Sequence, residues 1–467
     1  MRSWGVHEGW VGRSVSAPGD NDVSPPTGSI ERLRQLGQIL KGRPAGPDAD
    51  WVRIADLARY HGFAPFLFWR LGEGASERDH RLDVPQEVVD GLRADLYSAA
   101  AQGIKAEGQL ARVLEALSRA DLAAIVIKGA ALAAYYPDPS LRLYGDIDIM
   151  IPSGQIDLAE QTLYAEGYRS ITSRSWWLDR LHHLPPAASE SGALPVELHW
   201  MDRIHHLPPM ISESGGLLVE LHWRLDHEEG NGRLPTDDFW TRVMPWMVQG
   251  QPALRLDPID EALYLCHHAV VQHRVHGAFR ALFDLSQITA SWDLVEWRTL
   301  CGRAQLYGLE RPIYLMLVLA EQVLDLAVPI EVLSELRPSG QVAEPSQLLH
   351  KLMEASGDPE ASVSPSAVDG LVRGSLGARL RHLIRHIFLP RSGMAAVYHL
   401  PEKSPRIWMT YFWRPIDLLR RYGLSAWRAL RGEQGTQAAW RRELWLERWL
   451  RGVPDLNEED EDLFEWT

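Results

Sequence analysis

Residues 141–152 read LRLYGDIDIMIP, and no other run constrains the fold as tightly. Strand residues two apart point to one side of a sheet. Asp146 and Asp148 therefore share a face, while Ile147, Ile149 and Ile151 fill the opposite, buried face. Pro152 closes the strand. Two carboxylates that close repel each other unless a cation stands between them. A divalent ion removes the repulsion, and hard oxygen ligands suit Mg²⁺, with Mn²⁺ as the alternative. Gly145, directly before the pair, leaves room for a substrate or a backbone to approach. The competing reading is a solvated strand end. An apolar strand downstream of a strand–Lys–Gly turn favours the metal site.

The neighbouring sequence supplies the rest of an α/β unit. LAAIVIKG, residues 122–129, is a short β-branched run ending in glycine, the signal of a buried strand. AALAAYYPD gives one or two helical turns stopped by Pro137, and GQIDLAEQTLYAEGYRSI gives a helix and a further extended piece. This alternation predicts an α/β core of modest size. Before it, DADWVRIADLARYHGFAPFLFWRL and the long stretch from Pro85 carry apolar residues at helical spacing, with Asp48 or Asp50 as the helix cap. From Pro258 the chain reads as helical again. The expected organisation is a disordered leader over 1–29, a helical region over 30–120, the α/β core over 121–250, a C-terminal helical domain over 251–455 and an acidic tail over 456–467.

The core contains a tandem duplication. DRLHHLPPAASESGALPVELHW starts at Asp179 and DRIHHLPPMISESGGLLVELHW at Asp202. Each copy has a turn-rich SESG and then a strand on which Glu and His share a face. A third acid on a strand beside Asp146 and Asp148 completes a two-metal clamp, in which ions roughly 3.5–4 Å apart stabilise attacking and leaving oxygens. Glu197 and Glu220 both qualify. Pro195 removes a ladder donor from the first copy's strand, whereas Leu217 and Leu218 lengthen the second. The backbone argument therefore favours Glu220. His199 and His222 read equally well as groups orienting these acids or as a polar hairpin face.

Composition narrows the class. Two cysteines, Cys266 and Cys301, exclude a disulfide framework and a thiolate metal site. No apolar run is long enough to span a bilayer, and the first residues lack a signal-peptide core, so a cytoplasmic setting is expected. The net charge is −14, yet residues 372–431 hold twelve Arg and Lys against Glu402 and Asp417. Interleaved with aromatics, this segment suits a nucleic-acid strand or an anionic membrane surface. Amphipathic helices packing on the acidic remainder are the plainer reading. His267, His268, His273 and His276 cluster with Asp284, without a His-Glu-x-x-His pattern, and read as packing or nucleotide-contact groups.

VIKGAALAAYYPDPSLRLYGDIDIMI resembles the signature of the uncharacterised nucleotidyltransferase family within the DNA polymerase beta-like superfamily. The resemblance continues through VELHWRLD, ALYLCHHAVVQHRVHGAFRALFDL and FWRPIDLLRRYG. It implies an α/β (α+β) nucleotidyltransferase core with a small mixed sheet, flanked by N-terminal and C-terminal helical regions. It also implies an NTP substrate, an Mg²⁺ requirement, and metal held by Asp146, Asp148 and Glu220. Lys128-Gly129 stands where the superfamily has Gly-Ser, and Lys128 is placed as a point charge on the β/γ-phosphates. Arg142 reaches the same phosphates, with Gly129 and Gly145 lining the nucleotide. The acceptor is left open as a small molecule, a peptide or protein, or RNA. Two rivals stand beside this reading: a non-catalytic nucleotide-binding scaffold on the same fold, and a toxin-like enzyme acting on RNA.

Overall fold

The structure is a computed structural model that describes residues 30–46, 48–73, 84–170, 205–226, 234–275, 278–338, 404–417 and 445–452, with a few single positions between 384 and 443. The first copy of the duplication, with Glu197 and His199, lies outside the described residues, as do His276, the leader, the acidic tail and most of the basic segment.

The described strands are β1 (Ile125–Ile127), β2 (Asp146–Met150), β3 (Tyr168–Ser170), β4 (Met210–Ser212), β5 (Leu218–His222), β6 (Met244–Val248) and β7 (Gln251–Arg255). They form one mixed sheet in the order β3-β4-β5-β2-β1-β7-β6. The aspartate strand β2 sits in the middle. It is antiparallel to β1 and parallel to β5, so its backbone is paired on both sides. β1 in turn runs parallel to β7.

Alternation along these strands separates two cores. On one face Val126, Ile147, Ile149, Ile151, Val219 and Leu221 pack against helices Gln86–Arg119 and Ile156–Ala165. On the other face Ile125, Ile127 and Met150 join a larger core with the remaining helices. That core takes Leu36, Trp51 and Phe66 from before the sheet and Phe283, Leu315 and Leu319 from after it. The two helical regions expected as separate flanks thus share one apolar layer over the face that carries Asp148.

Local signals set the helix ends. Asp50 caps Trp51–Tyr60 by accepting from the Arg53 N–H at 3.2 Å. Asp293 and Glu296 form a reciprocal capping box on Leu294–Tyr307, which ends at Gly308 in the left-handed conformation. One contact between helix and sheet bears on the site. Gln109, in the middle of Gln86–Arg119, donates Nε2 to the Leu217 carbonyl and accepts the Leu217 N–H, both at 2.8 Å. It closes the ladder at the start of β5. Gly216, at φ +120°, makes room for it, because a Cβ there would come within 2.4 Å of Gln109 Oε1. Gln109→Ala leaves both Leu217 backbone groups without these partners and should cost about 1–2 kcal/mol, read by urea unfolding.

Candidate functional site

The parallel pairing of β2 with β5 places Asp148 directly opposite Glu220. Asp146 is opposite Leu218 and Met150 opposite His222 in the same register. Glu220 and His222 are two apart and share the face of Asp148. Asp148, Glu220 and His222 are all buried, and one donor atom from each lies within 4.8 Å of the others. His222 Nε2 is 2.8 Å from Asp148 Oδ1 and 3.7 Å from Glu220 Oε2. Asp146, at the half-buried start of the strand, is outside this group.

Burying two carboxylates side by side needs compensation. Part of it comes from the chain. Lys128 Nζ donates to Asp148 Oδ1 at 2.9 Å. Burial pulls the Lys128 ammonium down, but Asp148, Tyr264 and Glu220 outweigh it and hold the lysine charged. Lys128 reaches this place from a positive-φ backbone, φ 53° and ψ −128°, rare for a residue with a Cβ. The other Asp148 oxygen, Oδ2, is buried with no hydrogen-bond partner among the described residues. An unanswered carboxylate oxygen beside a glutamate and an imidazole is a donor set that fits a divalent ion.

The remaining expected residues surround this centre. Gly129 opens the short helix Gly129–Ala133, and a Cβ on it would come within 2.6 Å of Tyr144 Cβ and 3.5 Å of Arg142 Nη1. Arg142 therefore borders the Lys128-Gly129 turn. Its guanidinium is held by Asp284, with Nε to Oδ1 at 3.1 Å and Nη2 to Oδ2 at 2.8 Å, and Tyr136 donates to the same carboxylate at 2.7 Å. Gly145 has open space around it among the described residues, since a Cβ there would meet none of them within 4 Å.

Histidines line the same side. The segment 205–207 pairs with the end of β5: Leu207 N–H donates to the Leu221 carbonyl at 2.8 Å and Trp223 N–H to the His205 carbonyl at 3.0 Å. This brings the His205 and His206 rings to 5.5 and 5.0 Å from His222. The second repeat's His-His pair was not among the expected site residues. Its recurrence beside ELHW in both copies is the signal that marks it. His267 Nε2 stands 3.1 Å from Asp226 Oδ2, and His268 packs on His273 in a π-helical turn over His268–Gln272.

The family model described as uncharacterised nucleotidyltransferase matches residues 47–325. That span is more than half of the chain, and the chain belongs to this family. It takes in every expected site residue and the helices on both sides of the sheet, and ends before the basic segment. No curated protein matches the chain.

Two outcomes follow from the buried charges. Asp284→Ala strands the Arg142 guanidinium, whose side chain is 10% exposed, and should cost about 3–5 kcal/mol in chemical denaturation. Burial, the largest cause in each case, pushes His61 down to about 4, His206 down to about 3 and His268 well below its usual value. Folded, these rings stay neutral as pH falls; unfolded, they take protons near 6.5. The unfolded chain then binds more protons, and each ring removes about 1.4 kcal/mol of stability per pH unit below 6.5. Glu261, raised to about 8 chiefly by burial, opposes them with stability that is full below 4.5 and lost as pH rises toward 8. Glu160 and Asp260, also raised chiefly by burial, act in the same direction as Glu261, so the rings are read one at a time: relative to the unaltered chain, His61→Gln should gain stability on going from pH 7 to pH 5 in calorimetry.

Proposed function

We propose, for this member of the uncharacterised nucleotidyltransferase family, that it moves a nucleoside monophosphate from an NTP to an acceptor hydroxyl and releases pyrophosphate. The observation that carries the reading is the register of Asp148 against Glu220, with a buried Asp148 oxygen that has no hydrogen-bond partner among the described residues. Asp146, Asp148 and Glu220 are the residues to hold divalent metal. Bound there, the ion supplies positive charge to the phosphate oxygens and lowers the barrier to displacement at phosphorus.

The chain's own groups do the rest. Glu220 helps activate the acceptor hydroxyl, whose oxygen bonds to the α-phosphorus as the bond to the β-phosphate oxygen breaks. The electron pair leaves with pyrophosphate. Lys128 exchanges Asp148 for the β/γ-phosphates, keeping its charge paired in both arrangements. Arg142, fixed by Asp284 beside the Lys128-Gly129 turn, adds a second positive charge on the same side. Gly145 admits the nucleotide next to Asp146. Catalysis by positioning and charge asks for little more from the protein.

The test follows two labels. Incubation with α-labelled NTP and a divalent ion in source lysate should attach label to an acceptor, while γ-labelled NTP yields only labelled pyrophosphate. Transfer of the γ-label would overturn the reading in favour of a kinase. Asp148→Asn and Glu220→Gln should each lower α-label transfer at least about 100-fold, the scale of losing a charge-stabilising group. Full activity in both would leave the centre without a catalytic role.

A further inference from the structure

The donor set is not made of oxygen alone. His222 is fully buried and shares the β5 face with Glu220, so a nitrogen donor is built into the same group as the two carboxylates. Its Nε2, not its backbone, is the atom aimed at Asp148. Around an ion with metal–ligand bonds of about 2.0–2.2 Å, adjacent octahedral ligands stand about 3 Å apart. The 2.8 Å and 3.7 Å separations from Nε2 to Asp148 and Glu220 bracket that spacing. The backbone of His222 is fixed on both sides, since its carbonyl accepts the Ile151 N–H at 2.8 Å and its strand neighbour Leu221 accepts Leu207. Small shifts of the side chains alone therefore bring one nitrogen and two oxygens to a common point.

Resting on the reading of this cluster as a metal centre, we propose that His222 Nε2 is a direct ligand and that the site takes a divalent first-row transition ion in preference to Mg²⁺. Mg²⁺ keeps its waters and favours oxygen in a regular octahedron. Imidazole binds transition ions far better, and affinities across that series rise from Mn²⁺ upward. A neutral imidazole can carry its proton on Nδ1, so giving up the hydrogen bond to Asp148 leaves the Nε2 lone pair available without a change of charge. The competing arrangement keeps His222 as a hydrogen-bond donor that orients Asp148 while the ion sees oxygens only.

The full chain, stripped of metal and without nucleotide, separates the two. Calorimetric titration should give Mn²⁺ a dissociation constant at least tenfold lower than that for Mg²⁺. Pulsed EPR of the Mn²⁺ form should show coupling to one directly bound imidazole nitrogen. The coupling and the Mn²⁺ preference should disappear in His222→Ala and persist in His206→Ala, with thermal melts reporting that each variant is folded. Should His222→Ala not fold, ¹⁵N-labelled histidine in the unaltered chain must change the coupling. Mn²⁺ bound without nitrogen coupling, or equal affinities for the two ions, overturns the ligand assignment and leaves the nucleotidyltransferase reading standing. No binding of either ion overturns the metal centre itself.

Discussion

The pairing of β2 with β5 is the constraint on which the rest depends. Because the two strands are parallel and in register, Asp148 meets Glu220 across the ladder, and every residue two away falls on the same face. A slip of one residue would bury both carboxylates among Ile156, Ala159 and Leu163, in the core that Ile147, Val219 and Leu221 now fill. The apolar face therefore enforces the polar one. The cost of moving five aliphatic side chains into the other layer is what holds two acids together in a buried place. Gln109 pins the same register from the helix side, where β5 begins.

Charge compensation then decides which side chains can sit near that pair. Lys128 satisfies one oxygen of Asp148, and Asp284 satisfies Arg142. Each cation expected to meet phosphate already has a carboxylate partner within the chain. Such pairing allows cations to be stored at low exposure without a ligand. It also sets the exchange at the centre of the proposed reaction, since Lys128 can leave Asp148 only when another positive charge answers that carboxylate. The lysine and a divalent ion are thus competitors for one acid, and a nucleotide's phosphates offer the displaced lysine its new partner.

Much of this was legible in the sequence. The alternation in DIDIMI identified the strand, its buried face and the two acids, and the apolar run IVI identified β1. ELHW offered Glu220 as a candidate acid on a neighbouring strand, and the paired strands set that residue opposite Asp148. What local pattern could not show is distance across the fold. Asp284 lies 142 residues from Arg142, and no spacing rule connects them. The order of the strands and the sharing of one core by the first and last helices have the same origin. They are fixed by long-range packing, which leaves no periodic mark on either segment. His222 was visible as a face-mate of Glu220, but the closeness of its Nε2 to Asp148 depends on a register known only from the paired strands.

The second copy of the duplicated unit is held together by pairing over short distances along the chain. In the second copy, His205–Leu207 pairs with the end of β5, β4 pairs antiparallel with β5, and Gly215 and Gly216 turn the chain between them at positive φ. The His-His pair, the Ser-Glu-Ser-Gly turn and the Glu-Leu-His-Trp strand thus close on one another within a single period. From outside the unit, β2 pairs with β5, β3 pairs with β4, and Gln109 takes both backbone groups of Leu217. The second copy holds the place beside β2. Its strand begins at Leu218, and Gln109 takes the backbone groups of Leu217 just before it. Proline occupies the place of Leu218 in the first copy, and a proline there offers β2 or its neighbour no N–H.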